Sequence, residues 1–268
     1  MADLNYDTIA ESYGEDWCGL RGQSRNLVVN QVAGHFKRIE TSLDCAIGHG
    51  EFWTDLAQQT PVTACVGNDL SPEMLVAAQA RLEGTHFEGV TGDALTLAER
   101  LAGKTFDLVV SHLLYDYCAI ETFIPRLKPL LSETGLISSL TTVKTQYDDS
   151  FWEQMEARPF LRRLGKVDTS IQEGGTPDSH QDHIDQLEGV GLEIVDAQEL
   201  VVPVAVYSSA DIWSAAYHSG WGLGSLSKFG EGRRWALRQA LRLTDLPGAG
   251  LFPFKMNVRF SSVCARHR

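Results

Sequence analysis

The sequence has no long apolar run. No stretch reaches the roughly 18–20 residues that a membrane-spanning helix needs, so a bilayer-crossing role through helices is not expected. The opening residues, MADLNYDTIAESYGEDW, lack the basic-then-apolar profile of an export signal, which makes a soluble cytoplasmic protein the expectation. Cysteine is sparse and unpatterned: Cys18, Cys45, Cys65, Cys118 and Cys264 show no C-x-x-C spacing. An odd, scattered set reads as reduced thiols, not a disulfide framework. Metal-ligand spacing is missing too. His180 and His183 lie close in sequence, but no third ligand is near, and no metal is expected. Basic residues are outnumbered, 23 to 35, for a formal net charge of −12. That argues against broad binding of a nucleic-acid backbone. One Arg-rich run, GEGRRWALRQALRL (Gly230 to Leu243), reads as an amphipathic helix with a solvated Arg face. There is no internal repeat and no low-complexity segment.

What is present is alternation. With 268 residues, 43% of them hydrophobic, the chain is long enough for one large α/β domain or a domain with a lid. Residues 5–36 read as helical, with breaks at Gly14 and around Gly19–Gly22. Strands are expected at Ser42–Ala46, Val62–Leu70, His86–Ala94, Thr105–Leu114 and Leu136–Val143, with helices between them. Two helices carry clear signals. Ser71–Gly84 has a Ser N-cap, Pro at its first position and Gly past its end. Glu121–Gly135 is read as ending at Gly135. A helix from Ser179, a sixth strand to Leu200 and a closing strand over Phe252–His267 follow, the last two expected to pair antiparallel. The result is a seven-stranded, mostly parallel sheet flanked by helices and built of right-handed crossovers. Its expected divisions are a helical cover over 1–40, a core over 41–143 and a remainder over 144–268. Insertions at 144–178 and 201–250 would cap the site.

In such sheets ligands bind outside the carboxyl ends of the strands. The segment SLDCAIGHGEFW (Ser42 to Trp53) ends its strand in a glycine turn, where backbone can approach a ligand because Gly lacks a Cβ. Asp44, Asp69 and Asp93 end three successive strands. Asp69 can accept two hydrogen bonds from ribose hydroxyls. Asp93 can accept from the exocyclic amine of an adenine while the Ala94 N–H donates to the ring. An Asp at a strand end is more commonly a helix cap; the conjunction of three at agreeing spacings is what carries weight. A nicotinamide-type turn would place Gly or Ala at position 53, where this chain has Trp53.

These motifs resemble those of class I S-adenosylmethionine-dependent methyltransferases. LDCAIGHG is similar to the family's first motif, with Ala46 in place of a glycine; VGNDLSPEMLVAAQARL is similar to its acidic second motif; and GDALTL is similar to its adenine-contacting segment. YDTIAESYGEDW resembles the N-terminal helix that covers the cofactor in members acting on small molecules. The likeness spans about residues 6–143. It implies a Rossmann-like fold, S-adenosylmethionine as cofactor and a residue-by-residue assignment. Ala46, Gly48 and Gly50 would line the methionyl group, with Asp44 organising that turn or meeting the amino group. Asp69 would hold the ribose, with Leu70 beside the adenine and Met74 either on the adenine face or in the core. Asp93 and Ala94 would read the adenine, and Ser111 would offer its carbonyl to the amine. Tyr13 or Arg21 would meet the carboxylate.

Methyl transfer needs placement more than acid–base chemistry. A base is required only if the acceptor must lose a proton. His112, directly after the fourth strand, is the first candidate, and Tyr115 is the second, orienting an acceptor or walling its pocket. Asp116, His180, His183 and His218 are weaker, the first two of these histidines being read as solvated at a helix start. The proline-rich signature of amino-group methylation is absent; SHLLYDY stands there. Aromatic residues of the insertions (Phe151, Trp152, Trp213, Tyr217, Trp221) favour a small aromatic or heterocyclic acceptor. Arg exceeds Lys 16 to 7, which suits a GC-rich genome and makes secondary metabolism plausible. Three alternatives stay open: a cyclase or pericyclase on the same fold, an RNA methyltransferase and, more distantly, a nicotinamide enzyme. A homo-oligomer is compatible with all of them.

Overall fold

A computed structural model of the chain describes residues 16–147, 153, 175–217, 231–245 and 252–268. Strand and helix alternate. In chain order they are α1 (Leu20–His35), β1 (Ile39–Asp44), α2 (Glu51–Ala57), β2 (Val62–Asp69), α3 (Pro72–Arg81), β3 (His86–Thr91), α4 (Leu97–Arg100), β4 (Phe106–His112), α5 (Ile120–Leu127) and β5 (Leu131–Tyr147). Then come α6 (His180–Gly189), β6 (Leu192–Val206), α7 (Ser209–Tyr217), α8 (Glu231–Arg242) and β7 (Phe254–His267). The chain divides into two compact units. One takes in Gly22–Val143, Glu173–Leu200 and Phe260–Arg268; the other takes in the described residues of Met1–Arg21, Lys144–Gln172 and Val201–Arg259.

The seven strands form one sheet in the order β3-β2-β1-β4-β5-β7-β6. The pairs β1–β2, β1–β4, β2–β3 and β4–β5 are parallel. The composition of the central strands explains their place. Leu43, Cys65, Val66, Leu108, Val109 and Val110 are buried, because strands covered on both faces must be apolar in continuous runs and not in alternation. β3, at the edge, keeps its polar residues in water, which suits an edge strand. The chain runs β1 to β2 to β3 toward one edge and then returns to place β4 on the other side of β1. The carboxyl ends of β1 and β4 therefore flank the point where strand order reverses, the usual ligand crevice in such sheets. Register sets the tips: Asp44 lies opposite Gly67 of β2 and Val110 of β4. Each neighbour thus runs two residues further, to Asp69 and to His112.

The structure departs from the expected elements in instructive ways. The helix expected to end at Gly135 stops at Leu127, followed by a 3₁₀ turn over Lys128–Leu130. Pro129 in that turn has no N–H to continue a helical ladder. Gly135 lies inside β5, where an added Cβ would sit 2.8 Å from the Phe106 carbonyl oxygen; it permits close strand approach rather than capping a helix. His183, read as solvated, is fully buried on the same face of α6 as Leu187, four residues on. The break near the start of α1 falls at Cys18 and Gly19, both with positive φ. The expected break at Gly14 lies outside the described residues. The sixth strand continues past Leu200 to Val206.

Candidate functional site

After β1 the chain turns on two left-handed glycines, Gly48 (φ 52°) and Gly50 (φ 74°). Only glycine adopts such angles without strain. The turn is held from behind. The Cys45 N–H donates to Val110 O at 3.0 Å and the Ile47 N–H to Asn68 O at 2.9 Å, so β4 and β2 both grip it. Asn68 Nδ2 returns a bond to Cys45 O at 2.9 Å. Asp44 sits beneath, 4% exposed. Its Oδ1 accepts from the Ala46 N–H at 3.0 Å and its Oδ2 from the Trp53 indole N–H at 2.8 Å. Burial pushes this carboxyl up to about 7 against the pull of both bonds, and the charge of Asp69 adds to the rise.

The neighbouring tips belong to the same network. Asp69 accepts from the Gly48 N–H through Oδ2 at 2.9 Å and from the Ser71 N–H through Oδ1 at 2.9 Å. One carboxylate thus ties the glycine turn to the start of α3, where Ser71 caps the helix by accepting from the Met74 N–H. Leu70 beside it is 45% exposed. At the end of β3, Asp93 Oδ1 accepts from the Leu95 N–H at 2.9 Å, while among the described residues its Oδ2 takes no bond. Arg100, at the end of α4, donates to Asn68 Oδ1 (3.0 Å), Thr91 O (2.9 Å), Asp93 O (2.7 Å) and Thr96 Oγ1 (3.1 Å).

At the tip of β4 the character changes. His112 Nε2 shares a hydrogen bond with Ser138 Oγ at 2.9 Å, and its ring meets Phe52 edge-on with centroids 4.9 Å apart. Burial pulls its pKa down to about 3, so the imidazole is neutral at any physiological pH. Leu113 follows with φ 54°, a left-handed angle that a bulky residue rarely adopts; its N–H donates to Leu140 O at 2.7 Å, and it is 38% exposed. Tyr115 is fully buried. Its hydroxyl begins a chain of hydrogen bonds through Ser139 Oγ (2.9 Å) to His183 Nε2 (2.8 Å), and from His183 Nδ1 to Ser261 Oγ (2.8 Å) and on to His180 Nδ1 (2.6 Å).

Residues 43–135 match the model of a methyltransferase domain. The chain is similar in structure to the YcgJ protein of Bacillus subtilis, at 14% identity, covering 92% of this chain and 99% of that one with a TM-score of 0.58. A SAM-dependent methyltransferase from Geobacter sulfurreducens, solved with S-adenosyl-L-homocysteine, aligns over 100% of both chains at 15% identity and TM-score 0.57. The cyclopropane synthase MmaA2 of Mycobacterium tuberculosis aligns over 98% of this chain and 96% of its own at 14% identity and TM-score 0.56. Among curated proteins none matches the sequence. The fold is that of the class I S-adenosylmethionine-dependent methyltransferases.

Within this methyltransferase fold, Asp44 is bonded to the Ala46 N–H and Asp69 to the Gly48 N–H, so both acids hold the same turn. Asp93 joins them through Arg100 and Asn68, and Ala94 opens the 3₁₀ turn that Asp93 caps. Met74 (1% exposed), Ser111 and Tyr115 (both 0%) are buried. Helix α3 turns Met74 inward, Ser111 lies inside β4 opposite Ser139, and the Tyr115 hydroxyl finds its partner within the core. Asp116 accepts from Thr176 Oγ1 at 2.6 Å. Arg21 belongs to the other unit, where its N–H donates to Asp16 Oδ1 at 2.8 Å. Trp213, also in that unit, has the Arg238 guanidinium 5.3 Å above its ring. Tyr13, Phe151, Trp152, His218, Trp221 and the side chain of Tyr217 lie outside the described residues. Among the described residues no cluster suits a metal ion, and no helix is long and apolar enough to cross a membrane.

Three residues of this network, Trp53, Asn68 and Arg100, are not expected as site residues from the sequence. In the sequence Trp53 stands out only as a departure from glycine, and that departure is the available signal for the indole that holds Asp44. Arg100 carried no signal, since nothing in its neighbourhood marks it from other helix-end arginines.

Proposed function

We propose that this protein transfers a methyl group from S-adenosylmethionine to O, N or C of a small, aromatic or heterocyclic acceptor. The observation that carries the reading is the single hydrogen-bonded network joining the glycine turn to the acids at the first two strand tips, at the point where strand order reverses. The residues fit the cofactor's parts. Asp44 is a buried acid whose described bonds come only from neutral N–H groups, and a nearby ammonium would favour its charged form. Left-handed Gly48 and Gly50 bring backbone, not side chain, to the methionyl tail. Asp69, which accepts from the Gly48 and Ser71 N–H groups, would hold the ribose hydroxyls. Asp93 Oδ2 and the Ala94 N–H suit an adenine edge, and exposed Leu70 offers its ring an apolar neighbour. Arg21 or Tyr13 is proposed for the carboxylate.

When bound, S-adenosylmethionine supplies a methyl group on a sulfonium, whose leaving group is already good. The protein's task is therefore alignment. His112 is the residue we place beside the acceptor. With a pKa pulled far below the ordinary range, it serves as a hydrogen-bonding partner that orients the acceptor and not as a strong base. Which of its nitrogens carries the proton follows from the Ser138 bond: a donating Ser138 leaves an N–H at Nδ1, and an accepting Ser138 leaves a lone pair there.

Calorimetric titration with S-adenosylmethionine and S-adenosylhomocysteine tests the reading. Saturable one-to-one binding is expected, weakened about ten- to a hundredfold in Asp69→Ala. No binding by the unmodified protein would end the proposal; unchanged affinity in Asp69→Ala would end the ribose role. With a methylatable acceptor, formation of S-adenosylhomocysteine separates transfer from a cyclase reaction.

A further inference from the structure

We propose that Arg100 is a positioning residue that fixes the adenine-reading turn against the glycine turn and thereby sets selectivity for the purine's 6-amino group. The inference rests on the cofactor reading above and goes beyond it, because Arg100 touches no expected ligand atom. Its guanidinium does three things at once. Nη1 donates to Thr91 O, the last residue of β3. Nη2 donates to Asp93 O and, with its other hydrogen, to Asn68 Oδ1. Nε donates to Thr96 Oγ1, one turn earlier on its own approach. Asn68 is 1% exposed, and its amide nitrogen donates in turn to Cys45 O, at the start of the glycine turn. One planar fork therefore links the exits of β1, β2 and β3.

All four acceptors are neutral. The arrangement uses the shape of the guanidinium, four directed N–H groups in one plane, and not its charge. A lysine would keep the charge and lose the fork. The backbone makes room for it: Gly92 has φ 139°, and a Cβ there would stand 3.0 Å from Nη1. Any larger residue at 92 must displace the guanidinium or strain the turn. The Asp93 carboxylate has one oxygen fixed by the Leu95 N–H, so the direction of the other depends on where the backbone at 92–94 is held. An Asp93 oxygen and an Ala94 N–H together accept from an amino group and donate to an unprotonated ring nitrogen. Hypoxanthine reverses both, with a carbonyl at position 6 and a proton on N1, so small shifts of this turn change adenine selectivity before they change ribose or tail binding.

The test is a titration of the full chain with S-adenosylhomocysteine and S-inosylhomocysteine. The unmodified protein is expected to favour the adenosyl compound by at least about tenfold. In Arg100→Lys that ratio should fall toward one, with weak inosyl binding little changed and thermal stability close to the parent's. Arg100→Gln, which removes the fork without touching the backbone of the turn, should lower the ratio likewise and decides the matter if Arg100→Lys does not fold. A parallel loss of both affinities would show a merely structural role and overturn the inference, as would an unchanged ratio or an unmodified protein that does not discriminate. Absence of any binding by the unmodified protein would instead remove the cofactor reading, and this inference with it.

Discussion

The tips of β1 to β3 and the tip of β4 are built on different principles. Around β1 to β3, side chains serve backbone: Asp44, Asp69, Asn68 and Arg100 each hold peptide groups in a turn. Around β4, side chains hold one another across the sheet: His112 meets Ser138, Tyr115 meets Ser139, Ser139 meets His183 and His183 meets Ser261. The first arrangement fixes backbone amides and carboxylates in set directions, as the proposed cofactor would need. The second buries neutral polar groups, and next to His112 stands Leu113, exposed and with a left-handed backbone. The electrostatics differ in sign as well. Asp44 is an acid pushed toward neutrality, and His112 and His183 are bases pushed toward neutrality.

The largest effect expected from breaking this contrast is at Trp53. It is 1% exposed, packs edge-on to Phe52 and supplies one of two donors to Asp44. Trp53→Ala should lose about 3–5 kcal/mol of stability through the cavity alone. Trp53→Phe keeps most of the ring and isolates the N–H. Denaturant titration of both variants measures the difference; a cost below about 1 kcal/mol for the alanine change would mean that the turn stands without its indole.

Next is the pH dependence, where the two regions oppose each other. Asp44 in the folded protein is raised to about 7 from 3.8. Its contribution is fully present below about pH 4 and is lost as pH rises through 7, because there the unfolded chain has already released its proton. His112 and His183 are lowered to about 3 from 6.5, chiefly by burial. Their contribution is present above 6.5 and is lost as pH falls toward 3. Each group is worth on the order of a few kcal/mol at the far side of its window. Stability of the ligand-free protein between pH 4 and 6.5 is therefore a difference of opposed slopes. Asp44→Asn should make stability climb more steeply with pH over that range, and His183→Gln should make it flatter. Unfolding curves at pH 4.5, 5.5 and 6.5 decide it; identical slopes in parent and Asp44→Asn would show that Asp44 is ionised throughout.

The contrast also explains what could be read from the sequence. The glycine turn, the three strand-end acids and the Ser71 cap were legible because each is a local pattern, a residue type at a fixed distance from a strand end. The partners that finish the site are remote. Arg100 reaches Asn68 across 32 residues, Ser139 meets His183 across 44, and His183 meets Ser261 across 78. No spacing rule connects such positions, and a histidine near the start of a polar helix looks solvated until the strands behind it are placed. The fold was more legible than the site for the same reason: hydrophobic runs and turn residues define strands one at a time, whereas Pro129 against Gly135 as the end of α5 turned on which of two breakers acted first.

The smallest effect sharpens the comparison most. Tyr115→Phe removes one hydroxyl from the buried chain and leaves the ring in place. It should cost about 1 kcal/mol. The loss stays modest because Ser139 can turn its hydroxyl wholly to His183, 2.8 Å away. Cofactor affinity should not move, since no hydrogen bond of the β1–β3 network passes through Tyr115. Turnover, if it changes, should change through the acceptor: KM for the methyl acceptor would rise while kcat stays level, as expected if the chain beneath β4 places the rim carrying His112 and Leu113. Calorimetry with S-adenosylhomocysteine beside acceptor kinetics separates the two regions. A fall in cofactor affinity equal to the fall in stability would show that the β4 tip and the glycine turn act as one body, and the division drawn between them would not hold.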